Sequence, residues 1–92
     1  MPQIFRIGPY IVYFWSNDSN PLEPVHVHIA EGRAIANATK IWITRSGKAM
    51  LCNNNSKIPE CMLNKLIRVV EANSADIIEK WLIYFEEIRY FC

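Results

Sequence analysis

Cysteine is scarce in this chain, and what there is excludes a good deal. Cys52, Cys61 and Cys92 are odd in number and widely spaced, and no C-x-x-C pair occurs. That rules against both a disulfide framework and a zinc ribbon. Free thiols in a small chain fit a reducing compartment, so a cytoplasmic location is expected. Net charge is scarce as well: ten Lys and Arg stand against nine Asp and Glu, for a formal +1. Such a balance provides no global field for nucleic acid, and any phosphate contact must come from a local patch. Long hydrophobic runs are missing. The longest, Tyr10 to Trp15, falls far below the ~20 residues of a membrane span. The opening MPQIFRIGPY lacks the basic and apolar regions of a signal peptide. No segment is repetitive or low in complexity. With 92 residues, the expectation is a single domain over 1–92 with no membrane association.

What is present is apolar and patterned. Hydrophobic residues make up 51% of the chain and charged ones 21%, which excludes disorder. The first half alternates at the period of a strand. Gln3 to Ile7, Tyr10 to Ser16, Val25 to Glu31, Thr39 to Thr44 and a short edge piece Ala49 to Cys52 form the candidate strands. Gly8-Pro9, Asn17 to Pro24, Gly32, Arg45 to Lys48 and Asn53 to Lys57 supply turns and loops. From Pro59 the period becomes helical. Leu63, Leu66, Ile67 and Val70 form one stripe; Ile77, Ile78, Trp81, Leu82, Phe85 and Ile88 form a second. Asn73 is placed to cap the second helix, with Asp76 three residues on. The fold class predicted is α+β: an antiparallel sheet of four or five strands, then two C-terminal helices packed on one face.

Alternation also sorts the side chains. Val25, Val27 and Ile29 share the face expected to meet the helices, and His26, His28 and Ala30 share the other. Lys40, Trp42 and Thr44 fall on that same second face, which should be open. Three readings of the histidine pair stand. One is proton transfer, since imidazole changes charge near neutral pH, with His26 and His28 as catalytic groups. In it Arg33, Lys40 and Arg45 meet phosphate and Asp18 orients a ring. Another is metal binding, for which Asp18, Glu23 and Glu31 are the candidate further ligands, although Glu31 should alternate to the other face and H-x-H alone does not complete a site. The last is structural or partner contact, with Trp42 as the gripping residue. No metal and no other cofactor is expected. The tail from Ile88 to Cys92 is unusually apolar, and either folds back over the core or meets a partner, such as a second copy. Glu71, Glu79, Lys80, Glu86 and Glu87 are expected to form a solvated face.

The order I-F-R-I-G-x-Y, S-N-D-x-N-P, H-V-H, K-I-W-I and finally E-K-W-x-x-Y-F resembles a bacterial domain family of unknown function, number 4160, from Met1 to Phe85. The family's acid-and-histidine motif falls on Ser16, Asn17, Asp18, Asn20, Pro21, His26 and His28, and its tryptophans on Trp42 and Trp81. Ser19 stands where family members often have histidine, and Leu22-Glu23-Pro24 looks like a small insertion. The resemblance implies a small cytoplasmic protein encoded beside another small protein, in a toxin–antitoxin-like arrangement. Two functions follow as expectations. One is a toxin-like RNA-binding or RNA-cleaving protein with an antitoxin-like partner. The other is a non-enzymatic domain that binds a small partner protein through the open sheet face. Whether the chain is an enzyme stays open at this level.

Overall fold

The computed structural model describes residues 3–15 and 22–92. Five strands come first: β1 (Gln3–Ile7), β2 (Tyr10–Tyr13), β3 (His26–Glu31), β4 (Thr39–Ile43) and β5 (Ala49–Asn53). They pair antiparallel in chain order, β1 to β5, so every strand lies beside its sequence neighbour. Two helices follow, α1 (Glu60–Ala72) and α2 (Ser74–Phe85). This is the α+β architecture expected. Short connections produce it, since a tight turn can only return the chain antiparallel. At Gly8 (φ +57°) and Gly47 (φ +86°) the hairpin turns need left-handed backbone. Gly47 also has Ser74 Oγ 3.2 Å from where a Cβ would lie, so the β4–β5 turn abuts the start of α2.

The helices cover one face of the sheet. Val12, Phe14, Val25, Val27, Ile29, Ile41 and Ile43 meet Leu63, Leu66, Val70, Ile77 and Trp81 there, all of them buried. Trp81 is wholly buried, with Phe14 edge-on at 5.2 Å and Phe85 at 4.1 Å between ring centroids. Its indole N–H donates to the Glu87 carbonyl at 3.1 Å, which ties the chain beyond α2 to the core.

Several local expectations are revised. β2 ends at Tyr13 rather than Ser16, and Phe14 and Trp15 leave the ladder. Leu82 was placed in the helix stripe but is 41% exposed beside Ile83. One residue past Trp81 turns it about 100° around the helix, away from the sheet. The Asn73 side chain does not cap α2; its amide donates to the Val69 carbonyl at 2.8 Å and closes α1 instead. Asp76 pairs with Lys80 at 2.8 Å. Glu71 is not merely solvated: its carboxylate accepts the Ala49 N–H at 2.9 Å, at the β5 edge. Trp81→Ala is expected to cost about 3–5 kcal/mol, set against total stabilities of about 5–15 kcal/mol for small domains. Urea unfolding followed by circular dichroism checks this, and a loss under 1 kcal/mol would show that Trp81 does not anchor α2.

Candidate functional site: the histidine face and its cover

The sheet register collects the second face. His28 stands opposite Tyr13 on β2 and Lys40 on β4, and His26 stands opposite Trp42. Strand alternation therefore brings Tyr13, His26, His28, Lys40 and Trp42 onto one surface, as the sequence pattern requires. The expectation that this surface is open is wrong. His26 is 0% and His28 4% exposed. Each is packed in rings. Tyr13 stacks on His28 at 5.7 Å, and the two imidazoles meet edge-on at 5.0 Å. Trp42 meets His26 edge-on at 5.5 Å. Trp81 also reaches His26, at 5.4 Å, because the β2–β3 ladder stops at the Tyr13–His28 pair and leaves the start of β3 accessible from the helix side. His26 Nδ1 lies 2.8 Å from the Pro24 carbonyl. A carbonyl only accepts, so Nδ1 carries the proton, and in the neutral ring Nε2 is the acceptor nitrogen.

Two further segments cover this face. The β3–β4 connection is held by the Tyr13 hydroxyl, which donates to the Ile35 carbonyl at 2.7 Å and accepts its N–H at 3.0 Å. Ile11, Tyr13, Ala30 and Ala38 form a small second core beneath it. At the other end lies the tail. It leaves α2 through Glu86 in left-handed conformation (φ 68°), and the Arg89 carbonyl accepts the Val25 N–H at 2.8 Å. The Cys92 carbonyl accepts the Arg45 N–H at 3.0 Å. Ile88 and Tyr90 pack on the main core, whereas Phe91 lies on Trp42, rings 5.0 Å apart and 4° from parallel. Of the two readings of the tail, folding back is the one observed.

The cations do not converge on the imidazoles. Lys40 is bound in an ion pair to Glu23, and its ammonium lies 4.5 Å from the centre of the Trp42 ring. Arg45 is exposed, with its guanidinium 4.7 Å over the Tyr90 ring. Together with Lys48, Met50, Thr44, Ser46 and Cys92 it lines a shallow groove at the tail end of the sheet. Arg33 is exposed beyond the far end of β3 and belongs to no part of this group. Asp18 lies outside the described residues. Glu31, named as a metal ligand, is exposed at the opposite end of β3 from His26. Among the described residues no group of three or more His, Cys, Asp and Glu side chains is placed to hold a metal ion. Among them, too, no helix is long and apolar enough to cross a membrane. Cys52, Cys61 and Cys92 are free and exposed.

Residues 10–82 match the family model described as a domain of unknown function, DUF4160. The chain belongs to this family. No curated protein and no solved structure matches it. The DUF4160 match takes in β2 to β5, α1, the histidine pair, Trp42 and Trp81, and excludes β1 and the tail. The tail thus adds its contacts from outside the family region. Phe91, Tyr90 and Tyr13 were not singled out as site residues; the apolar character of the last five residues was the one signal pointing toward two of them.

Burial has a measurable consequence in this DUF4160 chain. His26→Ala is expected to lower the unfolding free energy by about 2–4 kcal/mol, as for other large-to-small changes in a packed interior. A histidine on an open sheet face would shift it by no more than about 0.5 kcal/mol. Urea denaturation of the variant separates the two.

Proposed function

We propose that this DUF4160 protein is the toxin-like component of a small bacterial two-protein module, and that it contacts single-stranded RNA through the tail end of its second sheet face. The observation that carries the reading is the Trp42–Phe91 ring stack next to a groove with cations: Met50, opposite Trp42 on β5, and Cys92, which follows Phe91, line that groove together with Arg45 and Lys48. An aromatic platform flanked by cations is what non-specific single-strand binding uses: bases stack on rings and phosphates meet Lys or Arg. With a net charge of only +1, binding depends on this local arrangement and is weak and salt-sensitive.

Contact is better supported than cleavage. His26 and His28 are buried under Tyr13 and Trp42, and a proton-transfer group has to come within hydrogen-bond reach of its substrate. In this reading the two imidazoles are the packed base of the platform. The Lys40 ammonium lies over the Trp42 ring, Arg45 meets phosphate, and Arg33 takes no part. Anisotropy of a fluorescein-labelled octauridylate is expected to show binding that Trp42→Ala weakens by about tenfold, the share of one stacked base. Arg45→Ala weakens it less and reduces its salt dependence. The RNA stays intact on prolonged incubation with or without EDTA. Cleavage abolished by His26→Ala with His28→Ala would restore the catalytic reading.

A second reading, a non-enzymatic domain for a small partner protein, is favoured by a different surface from the one first expected. Phe91 already occupies Trp42, whereas Leu82, Ile83 (75% exposed) and Tyr84 leave α2 apolar on its outside. Ile83 and Tyr84 line a shallow groove with Gln3, Ile4, Phe14 and Lys80. If a protein encoded beside this chain co-purifies with it, Ile83→Glu is expected to release it, and Trp42→Ala is not. The reverse pattern would return the partner to the sheet face.

A further inference from the structure

Phe91 is held differently from the rest of the tail. Ile88 and Tyr90 are half-buried in the core, and the Arg89 and Cys92 carbonyls each accept a backbone N–H from the sheet region. Phe91 lies between these anchors with 56% of its surface exposed. Among the described residues its ring contact is the parallel stack on Trp42. A ring so exposed changes rotamer quickly, and it can do so while the tail stays docked. Trp42 by contrast is fixed, edge-on against buried His26 and with the Lys40 ammonium 4.5 Å from its ring centre. The pair therefore consists of a rigid platform and a movable flat occupant. Parallel rings 4° apart at 5.0 Å have the offset geometry that aromatic rings favour. A nucleobase on a tryptophan adopts the same geometry.

We infer that Trp42 is a single-base stacking site and that Phe91 is its built-in occupant, a tethered ring that an RNA base must displace. This rests on the RNA-contact reading above and adds to it which base-binding position is used and how it is restrained. Met50, opposite Trp42 on β5, and Cys92, next to Phe91, share a groove with Arg45 and Lys48, where the phosphates flanking a stacked base can be met. Being tethered, Phe91 competes at an effective concentration on the order of millimolar. A free mononucleotide is a poor competitor, whereas an oligonucleotide also held by its phosphates displaces the ring.

The test is octauridylate binding to the full chain and to Phe91→Ala, Phe91→Leu, Trp42→Ala and the Phe91→Ala/Trp42→Ala double variant. Fluorescence anisotropy gives Kd, and the Trp42 indole N–H resonance is followed by NMR. Removing the occupant should tighten binding about three- to tenfold in both Phe91 variants, within the range of one stacked base. The gain should vanish in the double variant. In Phe91→Ala the Trp42 resonance should shift without RNA and again on adding it. Equal or weaker binding by both Phe91 variants, with the native chain still binding, overturns this inference and leaves the RNA reading standing. Absence of binding in every variant, including those with the platform uncovered, sinks the RNA reading and this inference together. Because Phe91 is largely exposed, its variants should melt close to the native chain, so a change in affinity is not a folding effect.

Discussion

A five-stranded sheet has two faces, and this chain has helices for only one of them. Everything else in the structure answers to that constraint. A strand-first order with two helices at the end places α1 and α2 together against Val12, Val27, Ile29, Ile41 and Ile43. The opposite face carries Ile11, Tyr13, Ala30 and Trp42. That is too much apolar surface to leave in water at ~25 cal/mol per Å². Among the described residues, the β3–β4 connection lies over it at one end and the tail at the other, and Glu23 reaches Lys40 from the β2–β3 connection.

The two covers are fastened in different ways. The Tyr13 hydroxyl grips both backbone groups of Ile35, a local and specific clamp. The tail is fastened by backbone bonds to Val25 and Arg45, by the Trp81 indole on Glu87, and by Ile88 and Tyr90 in the main core. Between the two covers, the histidines become interior residues. Aromatic neighbours surround them, and their ordering in a ring cluster explains how two polar side chains sit in a sheet centre. The candidate site is thus a surface built on buried imidazoles, and the exposed side chains at its tail end are Phe91, Arg45 and Lys48 rather than the H-x-H pair.

The polar loop after β5 illustrates a quieter version of the same economy. Asn53 to Lys57 has the composition of a solvated turn, yet Ser56 donates to the Ile29 carbonyl at 2.9 Å and accepts the Thr39 N–H at 3.0 Å. Asn54 accepts the Thr39 hydroxyl at 2.7 Å and donates to the Ile58 carbonyl at 2.9 Å. Short polar side chains finish the ends of β3 and β4 and set the start of α1, so the crossing from sheet to helices is fixed by hydrogen bonds as well as by the burial of Ile58.

By itself the sequence determined the class of fold, the order of elements and the face each strand residue takes. Those follow from local rules: a period of two in Val25 to Glu31, a period near 3.6 in Leu63 to Val70, and short turns at Gly8 and Gly47. It also placed Trp42, Lys40 and both histidines on one surface, because alternation and antiparallel pairing suffice for that. Only the tertiary structure decided that this surface is covered. Exposure of a strand face depends on which distant segment lies over it, and no periodicity in H-V-H encodes the position of Phe91 or Ile35. The same holds for the cations. Lys40 is near Trp42 because β4 presents both on one face, Arg45 follows that strand and lies over Tyr90, and Arg33 is far away because Gly32 turns the chain at the opposite end of β3. The side chain of Leu82 shows the limit most simply: its spacing fits the α2 stripe, yet it lies 41% exposed because Trp81, one step round the helix, is the residue that faces the sheet.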